Sequence, residues 1–348
     1  MKRSLATLAL VLSGLIFAPA AARADDTLTI VTGAQPTAFF EVFNNVALNA
    51  GFYKEEHLTV TTQYAGNPTI AEQLIASGKG DIGGMSIEPI ILGYEKGLRL
   101  QAFFVRDPLY DFVVGVLDDS PIKTLADFKG TALGEYSVGS SAELSTNAML
   151  AGAGVKPSEI SYLPIGNGSQ AVQALTTKKV AGAAFPYPEL ANYELAAHIK
   201  FRYFVNPILK DIGNTAYAAS PATIANKADL LKRFCRATAK AAILIRVNPK
   251  VAARYFLEGA GIKVTDEMLD NEVKLLQLAG DQLAGANPTS SKIGLIPPRG
   301  IDVYAKFLAE QGVTKAATPA SAIVTDQFIA YANDFDHKAF IAQMKALR

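Results

Sequence analysis

The chain has 348 residues, with 33 basic against 32 acidic side chains, three histidines and one cysteine. This balance, without any long basic run, argues against nucleic acid as a partner. A single cysteine rules out an intrachain disulfide, and the length suggests two domains.

The opening residues read as a targeting segment. "MKR" is a short positive start, Leu5 to Phe17 is apolar, and Ala22 to Ala24 ("ARA") offers small residues for cleavage. This pattern predicts a secretory signal peptide over residues 1–24, cut between Ala24 and Asp25. The apolar run is too short to span a bilayer, and no second run of that kind follows. The segment has no cysteine for lipid attachment. The expected mature chain has 324 residues, 30 basic and 32 acidic, exported to a Gram-negative periplasm as a soluble protein.

From there strand and helix patterns alternate. "TLTIVTG" is a strand, and "AFFEVFNNVALNAGFYKEEH" a helix closed near Gly51. "LTVTTQYAG" is a strand, and "PTIAEQLIASGKG" a helix with Thr69 and Glu72 as a capping box and Gly78 as its stop. "DIGGMS" is a strand, "EPIILGYEKG" a helix and "LRLQAFFVR" a strand. After Ser120 the pattern restarts: "TALGEYS", "EISYLPIGN" and "VAGAAFPYP" are strands, with helices in "SSAELSTNAMLAGAG" and "SQAVQALTTKK" between them. Such alternation predicts parallel βαβ units in two similar sets, an α/β fold. From Ala228 the chain reads as mostly helical. Cys235 falls at a helical core position there and reads as a small apolar residue. Thr265 reads as the cap of a later helix.

Chemistry is signalled mainly by absence. His57, His198 and His337 are isolated, and no HExxH, CxxC, Walker, GxSxG or GxGxxG pattern occurs in its proper setting. No catalytic residue, metal site or cofactor is expected. The remaining candidates are loops after predicted strands, where open α/β sheets bind ligands. They offer Gln35, Phe39 and Phe40; Asn67; Met85, Ser86 and Glu88; Arg106; Tyr136, Ser137, Ser140 and Ser141; Asn167; and Tyr187. Each has a plainer reading. Phe39 and Phe40 suit a helix core face, and Asn67 a turn before Pro68. Glu88 suits a helix start, and Arg106 a surface pair with Asp107. Tyr187, between two prolines, suits hinge packing. Ser140 and Glu143 fit a capping box, yet the same free amides can hold an anion.

Three segments together resemble a known family. "AEQLIASGKGDIGGMSIEPIILGYEKGLRL", "PIKTLADFKGTALGEYSVGSSAE" and "GVKPSEISYLPIGNGSQAVQALTTKKVAGAAFPYPE" occur in the order found in periplasmic substrate-binding proteins of ABC importers, of the nitrate/sulfonate/taurine and thiamine-pyrimidine-precursor family. Where the family often has Val-Asp-Ala the chain has Val180, Ala181 and Gly182, and it lacks the tryptophan that many relatives place in the site.

The resemblance implies a type II periplasmic-binding-protein fold. Two α/β lobes, residues 25–114 with 218–348 and residues 115–217, are joined by two crossing strands. "DFVVGVLDD" would supply the outgoing crossing and the region of Ala216 to Ser220 the return, with the C-terminal helices packed largely on the first lobe. It implies a non-enzymatic monomer that closes over one small-molecule solute and delivers it to an ABC permease and ATPase complex. Arg106 and the serine turn suggest a small organic anion, a sulfonate or aromatic carboxylate. The aromatic residues and Glu88 suggest instead a neutral heterocycle such as a thiamine-type pyrimidine. A pyrimidine-building enzyme or a receptor for a membrane sensor are further alternatives.

Overall fold

A computed structural model describes residues 25–33, 36, 38–66, 68–107, 111–136, 140–206, 215–279 and 289–348. Residues 1–24, where the sequence predicts a signal peptide, lie outside them. The chain first lays down β1 (Asp26–Thr32), β2 (Leu58–Tyr64), β3 (Ile82–Ser86) and β4 (Gln101–Asp107). It then builds a second sheet from β5 (Phe112–Leu117), β6 (Ala132–Glu135), β7 (Ser161–Pro164), β8 (Gly182–Pro186) and β9 (Phe201–Val205). It returns to the first sheet with β10 (Thr215–Ala219). The orders, β2-β1-β3-β10-β4 and β7-β6-β8-β5-β9, are the same arrangement twice.

β1 runs parallel to β2 and β3, and β6 parallel to β7 and β8, as the alternation predicts. One strand in each sheet departs from the all-parallel expectation. β10 is antiparallel to β3 and β4, and β5 is antiparallel to β8 and β9. These are the two crossing strands. Each arrives from the other sheet without a crossover helix, so it starts at the end where its parallel neighbours finish. Phe112 pairs with Pro186, and Thr215 with both Ser86 and Asp107.

Both faces of the first sheet are buried, which explains runs as apolar as "LTIV". Successive residues face opposite ways. Leu28, Ile30, Tyr217 and Ala219 enter one core, and Val31, Ala216 and Ala218 the other. The first core is covered by α1 (Val42–Asn49) and α2 (Phe52–Glu55). The second is covered by α3 (Pro68–Ala76) and α4 (Ile87–Glu95). Gly51 takes φ +78° where α1 gives way to α2. Helix α3 starts at Pro68, so Thr69 sits inside its first turn rather than capping it.

In the second sheet α5 (Ser141–Gly152) covers one face, while α6 (Ser169–Thr176) and α7 (Tyr187–Ala197) cover the other. The segment after Pro186 is therefore a helix, not the proline-containing loop expected. Pro188 falls in its first turn, where a missing N–H costs nothing.

Among the described residues eight further helices follow: α8 (Pro221–Asn226), α9 (Ala228–Val247), α10 (Pro249–Gly259), α11 (Asp266–Leu278), α12 (Pro298–Glu310), α13 (Ala320–Ile323), α14 (Ile329–Ala332) and α15 (His337–Ala346). Residues of α9, α10, α11, α14 and α15 join the first core and those of α12 and α13 the second, so these helices clothe the first sheet. Thr265 caps α11 by accepting from the Met268 N–H. Cys235 is fully buried in α9. No helix among the described residues is long and apolar enough to cross a membrane.

Candidate functional site

Residues that end or follow β1, β6, β7 and β8 come together around one cleft. There a cavity of about 340 Å³ is lined from three directions. Ala38 and Phe39, before α1, come from the first lobe. Tyr136, Asn167, Phe185, Glu189 and Asn192 come from the second. Phe256, Glu272 and Leu275 come from α10 and α11. The volume lies within the range of small-molecule sites.

The hydrogen bonds around Glu189 fix its position. Tyr193, one turn further along α7, donates to Glu189 Oε1 at 2.9 Å, and the Gly168 N–H donates to the Tyr193 hydroxyl at 3.0 Å. Asn167 Nδ2 reaches the Tyr136 hydroxyl at 3.5 Å. Burial pushes the Glu189 carboxyl above its usual range, while the Tyr193 hydrogen bond pulls the other way. Glu272 is pushed to about 7 by burial and, after that, by the charge of Glu189. Its Oε1 is sealed from solvent and has no hydrogen-bond partner. The described lining has no Lys, Arg or His.

Of the residues singled out in the sequence, Phe39, Tyr136 and Asn167 meet in this cavity. Gln35, Asn67 and Ser137 lie outside the described residues, as do the side chains of Phe40 and Ser141. Met85 belongs to the second core of the first sheet, and Ser86 is the N-cap residue of α4 at the cleft end of β3. Glu88 is fully buried within the first lobe, where its Oε1 accepts from the Tyr304 hydroxyl at 2.7 Å.

Arg106 is also interior, at 2% exposure. Its guanidinium lies 5.0 Å from the centre of the Tyr217 ring and packs on Gly84. Tyr217 donates to Asn44 Oδ1, and Asn44 Nδ2 donates to Glu41 Oε2 at 2.6 Å. Arg106 thus belongs to a buried polar group and is not in the described lining of the cavity. Tyr187 stacks edge-on against Tyr203, ring centres 5.2 Å apart.

Ser140 caps α5 as expected, accepting from the Glu143 N–H at 3.2 Å. The reciprocal half of a capping box does not form. Ser140 Oγ instead donates to Glu135 Oε2 at 3.1 Å, and the Glu143 carboxyl turns towards Glu135. Glu135 is fully buried, and burial followed by Glu143 raises its carboxyl to about 7.

Glu189, Glu272, Asn192 and Phe256 were not singled out in the sequence. They stand on helices, whereas strand-end reasoning inspects loops. Glu189 alone carried a local signal, as the acid in the first turn of a helix opened by "PYPE".

Among the described residues no group of three or more His, Cys, Asp or Glu is placed to hold a metal ion. Residues 43–252 match the family model described as NMT1/THI5 like. No curated protein matches the chain. Among solved structures, a protein of Bordetella bronchiseptica RB50 superposes with a TM-score of 0.71 at 22% identity, covering 88% of this chain and 97% of that one. The periplasmic aliphatic sulphonate binding protein SsuA of Escherichia coli gives 0.62 at 19%, covering 86% and 92%. The desulfurization enzyme DszB gives 0.54 at 13%, covering 88% and 98%. At these identities the likeness is one of fold.

Proposed function

The chain belongs to the NMT1/THI5-like family, and on that premise we propose that it is the periplasmic solute-binding component of an ABC importer. The observation that carries this reading is the placement of the cavity, with walls from both lobes and from the C-terminal helices. A solute touching both walls stabilises the closed arrangement over the open one, because it gains contacts there that the open form lacks. A permease and ATPase complex then reads the closed shape. The reading includes residues 1–24 as a cleaved signal peptide, a monomeric mature protein, and lobes formed by residues 25–114 with 218–348 and by residues 115–217. It includes no bond-breaking step, although one protein of similar fold is an enzyme.

Two solute chemistries arose from the sequence. The organic-anion reading leaned on Arg106, which is not in the described lining of the cavity. The similarity to a sulphonate binder favours that reading but rests on fold alone. The lining favours the other chemistry. It presents aromatic faces in Phe39, Tyr136, Phe185 and Phe256, acceptors in Glu189 and Glu272, and amides in Asn167 and Asn192. These groups suit a flat heterocycle bearing amino donors. The test is a thermal-shift screen over aminopyrimidines, sulfonates, aromatic carboxylates and nitrate, followed by small-angle scattering with each hit. An aminated heterocycle should raise the melting temperature and shrink the radius of gyration. A bound solute that leaves the scattering profile unchanged would refute the closure model.

A further inference from the structure

The charge of the cavity is one-sided, and this carries the solute class a step further while resting on the binding role proposed above. Glu189 stands on α7 of the second lobe. Glu272 stands on α11, which joins the core of the first lobe through Leu269, Leu275 and Leu276 and meets α7 at the cleft. The two carboxyls therefore approach from opposite walls, close enough that Glu189 raises the proton affinity of Glu272. Glu272 Oε1 is an orphaned acceptor shut away from water. Folded proteins seldom leave such an atom without a partner, and Glu272 is one of the residues that line the cavity.

We propose that Glu189 and Glu272 form a latch for a solute carrying a protonated amine. With the cavity empty and both groups ionised, like charges on facing helices resist approach of the two walls. A cationic amine placed between them removes that repulsion and supplies the missing donor. Charge-assisted bonds of this kind are about twice as strong as neutral ones. Tyr193 holds Glu189 in position for it. Phe39, Tyr136 and Phe256 add ring faces, which attract cations. An anion meets the same two carboxylates and is repelled.

Three aromatic probes of matched size separate the cases: benzylamine as the cation, benzyl alcohol as the neutral form and benzenesulfonate as the anion. Benzylamine alone should raise the melting temperature. Glu272→Gln and Glu189→Gln should each weaken it at least about tenfold, while Glu272→Asp retains part of the affinity. Calorimetry in two buffers of different ionisation enthalpy should show proton release from the wild type at pH 7, and less from Glu272→Gln. Without any probe, Glu272→Gln should melt above wild type at pH 8, which also shows that it folds. Benzyl alcohol or benzenesulfonate matching benzylamine would overturn the latch, and so would undiminished benzylamine binding by Glu272→Gln. If either non-cationic probe also shrinks the radius of gyration, the binding-protein reading survives that loss. If no probe stabilises the protein the latch fails, and the broader solute screen decides the binding role separately.

Discussion

Tyr193 donates to Glu189 across 2.9 Å while accepting from the backbone of Gly168 at 3.0 Å. One hydroxyl thus ties the start of α6 to a carboxyl on the cavity wall. Tyr193→Phe keeps the ring and deletes both bonds. Both bonds are part-buried, and each is worth about 0.5–1.5 kcal/mol, so the urea midpoint should fall accordingly. Solute affinity should fall as well, because Glu189 loses the group that orients it. An unchanged midpoint would show that the relay is not formed in solution.

A second prediction separates a structural acid from a ligand-binding one. Glu88 is fully buried and bonded to Tyr304 of α12. Tyr304→Phe should lower stability by about 1–3 kcal/mol and leave solute affinity at the wild-type value. A variant that folded normally but lost the solute would return Glu88 to the role suggested by the sequence.

Much of the fold was legible in the sequence because its strands carry local signals. β1, β2, β3, β4, β6, β7 and β8 each follow an apolar or alternating run closed by small residues. The direction of β5 and β10 was not legible, since pairing sense depends on which sheet the chain arrives from and leaves no mark on side-chain alternation. Helix α7 was hidden by Pro186 and Pro188, which look like loop residues and yet occupy the cap and first turn of a helix. In the site, Phe39, Tyr136 and Asn167 could be found because they follow strands. Glu272 could not, because its helix reaches the cleft only through packing between distant segments.

Stability should depend on pH through Glu135. Its folded pKa is raised from the usual glutamate range to about 7, by burial first and Glu143 second. The native state therefore holds a proton that the unfolded chain has already released between those values. Stability contributed by this proton is full below the unfolded pKa and is lost as pH rises towards 7. Glu272 acts in the same direction. Denaturation midpoints measured from pH 4.5 to 8 should fall with rising pH, and Glu135→Gln should flatten part of that slope. A slope unaltered by Glu135→Gln would mean that other groups account for it.

The departure from the family pattern at residue 182 has a packing reason. A Cβ added to Gly182 would lie 2.9 Å from the Gly115 carbonyl oxygen and 2.8 Å from Val116 Cγ1. The crossing strand β5 lies against β8 at this point, so the alanine common in relatives does not fit. Gly182→Ala should destabilise by about 1–3 kcal/mol through overpacking, read as a lower melting temperature with secondary structure retained. If it is neutral or stabilising, β5 can move away from β8 more easily than the close contact implies.

The single cysteine gives a probe of how the first lobe opens. Cys235 is fully buried in α9, and burial alone raises its thiol well above the ordinary range. The thiolate is the reactive form, so low accessibility and high proton affinity both suppress reaction. A thiol reagent should leave the native protein unlabelled over hours and react at once in denaturant. Between these limits, labelling measures the population of open states rather than any intrinsic reactivity. Because α9 packs against α1, α2, α10, α14 and α15, exposure of this thiol requires the helical cover of the first sheet to come apart. The labelling rate should therefore rise with denaturant along the same curve as global unfolding, and a solute that stabilises the folded protein should slow it. Rapid labelling of native protein would show that α9 opens locally, contrary to its complete burial.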